Sequence, residues 1–243
     1  MAARVFAIRS LAGHLKARYS LDRDDLDGIE RLNGTARSFE PNQYLLREGD
    51  RPKYCSFLVD GFVYRHKIVA DGGRQIVSIH IPGDIIDLQN MLLQEADHNI
   101  QALTAATVLL FPHEEVVALA FARPAVGKAM WRETLIEASI SREWIANVGR
   151  RDARERTAHL ICELAMRRES AGLGPREAYE LPMTQEQLGD ALGLTAVHVN
   201  RTLKALQDDG LITRSKRSVA VNDWERLRAV ADFTTNYLHL GQG

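Results

Sequence analysis

His198, Arg201 and Lys204 follow one another at spacings of three, and all three side chains donate hydrogen bonds. Arg214, Lys216 and Arg217 stand a few residues on. Donors of this kind suit phosphate oxygens and the acceptor edges of bases. From Thr195 to Arg217 there are five basic residues and two acidic ones, Asp208 and Asp209, although the whole chain carries a net charge of −1. That local excess of positive charge points to an anionic partner more directly than the total argues against one.

The elements that must position these donors lie in MTQEQLGDALGLTAVHVNRTLKALQDDGLI, Met183 to Ile212. Leu188, Ala191 and Leu192 line one face of a first short helix. Gly193 stops it, because glycine tolerates the left-handed C-cap conformation. Thr195 is placed to cap a second helix through its side-chain oxygen. Val199, Leu203 and Leu206 form a buried stripe on that helix, leaving His198, Arg201 and Lys204 on the opposite face. Two helices around a tight turn, the second basic on its outer face, read as a DNA-binding helix-turn-helix. LITRSKRSVAVND then predicts two short strands around a Ser215-Lys216 turn, a basic wing placed to touch phosphate.

With 243 residues, 45% of them hydrophobic and 26% charged, the chain is globular and of one or two domains. Its two cysteines, Cys55 and Cys162, lie far apart without metal-type spacing, so neither a disulfide framework nor a cysteine-held cluster is expected. No apolar run reaches the roughly 18 residues of a membrane span. The N-terminal stretch lacks the apolar core of a signal peptide, so the cytoplasm is expected and no membrane partner. No phosphate-binding glycine loop, nucleophile elbow or metal-ligand triad is present, and an enzyme is not expected. Glu114-Glu115 and Asp24-Asp25 are acidic pairs at helix starts, where the helix dipole favours them.

Upstream, Phe6 to Tyr19 predicts a short amphipathic helix, and Asp22 or Asp24 a cap for a second one through Leu32. From Ala36 to Leu88 short β-rich runs alternate with glycine turns, which indicates a sandwich, barrel or jelly roll. A further strand pair is expected over about Ile100 to Phe111. HEEVVALAFAR predicts a helix, and Pro124 fits the first turn of a long one ending near Arg151. That helix carries two apolar stripes, Val126-Ala129-Ile136-Ile140-Trp144 and Trp131-Leu135-Ala138-Ile145. One is expected to pack on the β domain and the other on a second copy of the chain; a core helix of a monomer is the alternative. The cluster Arg150, Arg151, Arg154 and Arg156, interleaved with Asp152 and Glu155, reads as a solvated face with i,i+4 pairs. AGLGPREAYELP reads as a loop, and a final helix is expected from Trp224 to about Leu238.

In the segments LGLTAVHVNRTLKAL and DGLI, and in the glycine turns FLVDGFV and IPGDIIDL, the chain resembles the superfamily of the cyclic-AMP receptor protein and the fumarate–nitrate regulator. The resemblance spans nearly the whole sequence. It implies an α+β fold: N-terminal helices and a cyclic-nucleotide-binding-like β-roll (jelly roll) over residues 1–121, a dimerisation helix over 122–151, and a C-terminal winged helix-turn-helix domain over 152–243. It implies a homodimeric transcription regulator that binds double-stranded DNA at a palindromic operator, with RNA polymerase as a further partner. Bases would be read from Ala196, Val197, Asn200 and Arg201, with His198 and Lys204 beside them. Arg201 matches the family's base-reading arginine, whose bidentate partner is guanine. Val197 stands where many relatives use a glutamate, and an apolar side chain there suits a thymine methyl instead. Asn200 suits adenine or phosphate, Thr195 is a cap that also donates to phosphate, and Lys216 and Arg217 of the wing meet the backbone.

Cyclic-nucleotide receptors of this family carry a glycine–glutamate pair and, after a loop, an arginine followed by a small residue. Here those places hold Asp87, Leu88, His98 and Asn99. Leucine accepts no hydrogen bond from a ribose, and histidine offers no guanidinium fork. The expected effector pocket is therefore degenerate, and cyclic AMP is disfavoured. An iron–sulfur cluster is disfavoured too, because the first cysteine is Cys55, inside the β region. His66, His80, His98 and His113 keep haem open as a cofactor. Two alternatives stand beside the regulator reading: a true cyclic-nucleotide receptor, and a signalling module whose helix-turn-helix contacts protein.

Overall fold

The computed structural model describes residues 2–240. They form two compact units, one of residues up to 66 together with 79–138, the other of residues 67–78 together with 139–240. Among the described residues no helix is long and apolar enough to cross a membrane.

The first unit opens with α1 (Ala2–Arg18) and α2 (Arg23–Glu30). Asp22 caps α2 reciprocally with Asp25, each carboxylate accepting the other's backbone N–H. Eight strands follow: β1 (Thr35–Phe39), β2 (Tyr44–Leu46), β3 (Tyr54–Asp60), β4 (Val63–Ile68), β5 (Arg74–His80), β6 (Ile85–Ile86), β7 (Asn99–Ala102) and β8 (Ala106–Pro112). They build two four-stranded sheets, β1-β8-β3-β6 and β2-β7-β4-β5. The alternation of the strands decides what each sheet covers. Leu58 of β3 and Val108 of β8 join Phe39, Val63, Ile86 and Ile100 in the core of the roll. Their neighbours Phe57, Leu109 and Phe111 join a helical layer with Leu15, Ile29, Val116, Val126 and Met130. Each such side chain, fully buried, contributes about 1.5–3 kcal/mol. The expected strand pair over Ile100 to Phe111 is corrected here. Both strands exist, but β7 pairs with β2 and β4 while β8 pairs with β1 and β3, in opposite sheets.

After α3 (His113–Ala122), the long α4 runs from Pro124 to Arg150, and the division between the two units falls inside it, after residue 138. Its two stripes differ in burial. Val126, Ala129, Ile136 and Trp144 are buried, whereas Trp131, Leu135 and Ile145 are exposed at 70%, 55% and 73%.

The second unit adds α5 (Ala153–Ser170), β9 (Ala178–Glu180), α6 (Gln185–Leu192), α7 (Ala196–Asp208), β10 (Ile212–Arg214), β11 (Ser218–Val221) and α8 (Trp224–Val230). Three expectations change in it. The segment read as a loop contains β9, which pairs with β11 and makes the wing three-stranded, in the order β10-β11-β9. The final helix stops at Val230, because Asp232 takes a left-handed φ of 46°; Phe233 and Tyr237 then fold back against His159. The basic cluster at the start of α5 is not a face of i,i+4 pairs. Arg151 bonds Glu143 at 2.7 Å, Arg154 bonds Asp209 at 2.5 Å, and Arg156 donates to the Leu192 carbonyl at 3.0 Å.

Candidate nucleic-acid interface

The turn between α6 and α7 is built by local bonds. Thr184 and Gln187 form a reciprocal cap at the start of α6. Gly193 ends that helix at φ 64°, and Leu194 donates to the Gly189 carbonyl at 3.0 Å. Gly189 is required by proximity: a Cβ there would lie 2.4 Å from the Leu194 carbonyl oxygen. Thr195 Oγ1 then accepts the His198 N–H at 3.2 Å and starts α7. Val199, Thr202, Leu203 and Leu206 bury one face of α7. The guanidinium of Arg156 satisfies the carbonyl at the end of α6, one of the orphan acceptors every helix leaves there.

What this leaves outward is a largely polar face. Thr195, Ala196, Val197, Asn200, Arg201 and Lys204 are exposed, and His198 is half-buried. Val197 is 80% exposed, an apolar side chain held out to solvent. Lys216 and Arg217 are exposed at the tip of the wing, where Ser215 donates to the Ser218 carbonyl and closes the hairpin. All nine residues singled out from the sequence for this surface therefore belong to one structural unit. Its donors are of the kind that suits phosphate and base edges, and Ala196 and Val197 set methyl groups among them.

Of the four residues expected to form a degenerate effector pocket, Asp87 and His98 meet, while Leu88 and Asn99 take other partners. Leu88 packs in the helical layer outside the roll, with α1, α2 and α3. Asn99 Oδ1 accepts the Glu48 N–H at 3.2 Å. Asp87 and His98 do meet, with His98 Nε2 3.1 Å from the Asp87 carboxylate, and both are buried. The carboxylate of Asp87 is also paired with a residue that sequence reasoning did not single out. Arg65 of β4, itself buried, donates to Asp87 at 2.9 Å and also to Glu137 of α4. Burial works against the Asp87 carboxylate, yet the His98 hydrogen bond and the Arg65 charge outweigh it and hold its pKa below the usual range. Alternation gives no signal for Arg65, because Val63, Tyr64, Arg65 and His66 of β4 are all buried.

The carboxylate of Asp87 and the guanidinium of Arg65 are thus engaged with each other, and Arg65 also with Glu137. A cavity of about 270 Å³ lies nearby, lined by Phe39, Leu46, Ile86, Ile100 and Asp87 with Arg37 and Lys53, but not by Leu88, His98 or Asn99. Among the described residues no group of three or more His, Cys, Asp or Glu side chains is arranged to hold a metal ion. His66 is buried between Tyr44 and Tyr64, and His80 lies 3.6 Å from Asp84. Burial pushes the thiols of Cys55 and Cys162 up to about 12, which keeps both protonated at neutral pH.

Two profiles match the chain: that of the Crp-like helix-turn-helix domain over residues 155–230, and that of the cyclic nucleotide-binding domain over residues 36–123. The chain is 31% identical to the transcriptional activator protein FnrL of Cereibacter sphaeroides, over 85% of this chain and 84% of that protein. It is 25% identical to the fumarate and nitrate reduction regulatory protein of Escherichia coli, over 90% of this chain and 87% of that protein. Among solved structures, FixK2 from Bradyrhizobium japonicum superposes with a TM-score of 0.77 at 26% identity, covering 84% of this chain and 100% of that one.

Proposed function

The chain belongs to the Crp/Fnr superfamily and is a DNA-binding transcription regulator, and from that premise we propose that it acts as a homodimer on a palindromic operator without cyclic AMP. The observation that carries this reading is the bare apolar seam of α4. Trp131, Ala138 and Ile145 recur every seven residues, with Leu135 beside them, and three of the four are exposed. An apolar heptad stripe left uncovered along a long helix is what a second copy of that helix covers.

Each protomer of the dimer presents one α7 to the major groove. Arg201 pairs with guanine, Asn200 and Val197 read neighbouring bases, and Thr195, Lys216 and Arg217 hold phosphates. The broken effector signature supports independence from cyclic nucleotides, and the burial of both cysteines supports independence from an iron–sulfur cluster. Regulation then proceeds by binding rather than catalysis, in the cytoplasm, with RNA polymerase as the further partner.

Selection of bound duplexes from a random pool tests the reading. The expected product is a two-fold symmetric site whose half-sites are centred about 34–36 Å apart, one helical turn. Enrichment of a single unrepeated half-site, or of no sequence, would overturn it.

A further inference from the structure

One buried cluster in the roll plays no part in reading DNA, yet it reaches α4. Arg65 joins Asp87, at 2.9 Å, to Glu137 of α4. Asp87 also receives Gln89 Nε2 and His98 Nε2, each at 3.1 Å, and His98 Nδ1 lies 2.6 Å from Asp97. His80 Nε2 lies 4.0 Å from Glu137.

Two features make this more than an ordinary ion pair. Charges taken out of water cost more than their attraction returns unless the geometry is good, so a buried pair is a poor way to add stability. In addition, Asp87 holds a left-handed backbone, φ 65° and ψ 36°, a conformation that favours glycine. The chain thus keeps a side chain at a strained position, and that side chain's role is to meet Arg65 and His98.

We propose that Arg65 is a positioning residue for DNA binding that takes the place of an effector. Its guanidinium supplies, from inside the chain, the charged link between the β6 end of the roll and α4. α4 is one continuous helix, so the residue that anchors Glu137 anchors the helix that carries the exposed seam and, seven residues on, Trp144. The roll is then permanently in the state that a ligand would otherwise have to select. This rests on the reading that no cyclic nucleotide is needed.

Operator affinity of the full-length protein, read by fluorescence anisotropy on the selected duplex, tests the assignment. Glu137→Gln keeps the size and hydrogen bonding of the side chain and removes its charge at a partly exposed site, so the fold is retained. Arg65→Met removes the link from the other side. Glu133→Gln, on the same helix and bonded instead to Tyr19 at 2.6 Å, is the control.

Glu137→Gln and Arg65→Met are each expected to weaken operator binding about tenfold, the size of an ordinary coupling between sites. The double variant should be no weaker than the weaker single, because both act through one bond. The control should match the wild type, and low-salt binding to unrelated DNA should be equal in all five proteins, which a loss of folded protein would not produce. Unchanged affinity in Glu137→Gln, or losses that multiply in the double variant, would overturn the proposal. Adding cyclic AMP separates the two readings: tighter binding by the wild type defeats effector independence, while the response of Glu137→Gln still judges Arg65.

Discussion

The indole N–H of Trp144 donates to the Glu163 carboxylate at 3.0 Å, a bond between two buried side chains that ties α4 to α5. The Tyr237 hydroxyl donates to the same carboxylate at 2.9 Å, from the turn after α8. Arg167 lies one helical turn away at 3.4 Å. Burial raises the Glu163 pKa above its ordinary 4.5, and Arg167 and the two hydrogen bonds offset this only in part. A carboxyl raised by folding binds its proton more tightly in the folded state, so stability falls as pH rises from 4.5 toward the folded value. Glu163→Gln has no proton to lose. Denaturant unfolding across that window should show wild type losing stability relative to Glu163→Gln as pH rises, and a difference that ran the other way would refute the assignment. Glu163→Ala leaves the Trp144 and Tyr237 donors without an acceptor, at about 1–3 kcal/mol for each.

Gly189 lies within α6 under the turn, where an added Cβ would stand 2.4 Å from the Leu194 carbonyl oxygen. Because the obstacle is backbone, alanine there must push the start of α7 aside, at about 1–3 kcal/mol of overpacking. Gly193→Ala, in the left-handed cap, costs about 1–2 kcal/mol in the backbone but displaces nothing of comparable stiffness. Gly189→Ala is therefore expected to lose more operator affinity than Gly193→Ala, with helical content retained in both. Gel shifts alongside circular dichroism decide the order, and equal losses would contradict the packing argument.

The exposed seam of α4 predicts a concentration-dependent dimer. Trp131→Glu combined with Ile145→Glu puts charge on both sides of the two-fold interface without touching the buried stripe. Sedimentation equilibrium should show dimers for the wild type and monomers for the variant, whose melting transition no longer depends on protein concentration. A monomeric wild type would defeat the reading.

Arg201 and Lys216 should fail in different ways. Arg201→Ala is expected to lose about 1–3 kcal/mol per half-site and to relax discrimination at one base position. Lys216→Ala should weaken binding to every sequence alike and reduce the salt slope. Titrations of the operator and of base-substituted duplexes at several salt concentrations separate the two. A base-specific loss in Lys216→Ala would mean that the wing reads sequence.

The helix-turn-helix was legible because everything that builds it acts within a few residues. Gly193 stops α6, Thr195 starts α7, and Val199, Leu203 and Leu206 repeat on one face of α7. Each is a matter of backbone conformation, one hydrogen bond or helical spacing, so the outward surface with Arg201 follows from order alone. The β-rich run from Ala36 to Leu88 and the two wing strands, though not β9, were legible for the same reason. Their partners were not, since alternation marks a strand without naming its sheet: β7 and β8 part into opposite sheets, and β9 waits for β11, some forty residues on. Tertiary structure also decided which charges were solvated. Arg154 found Asp209, and the carboxylate of Glu163 gathered Trp144 and Tyr237. Nothing local singles out Arg65, because the reason for its burial lies in Asp87 and Glu137, which are 22 and 72 residues away. Local bonding thus determined the element that reads DNA, whereas the pairing of buried charges, a long-range property of the folded chain, decided what joins the roll to α4.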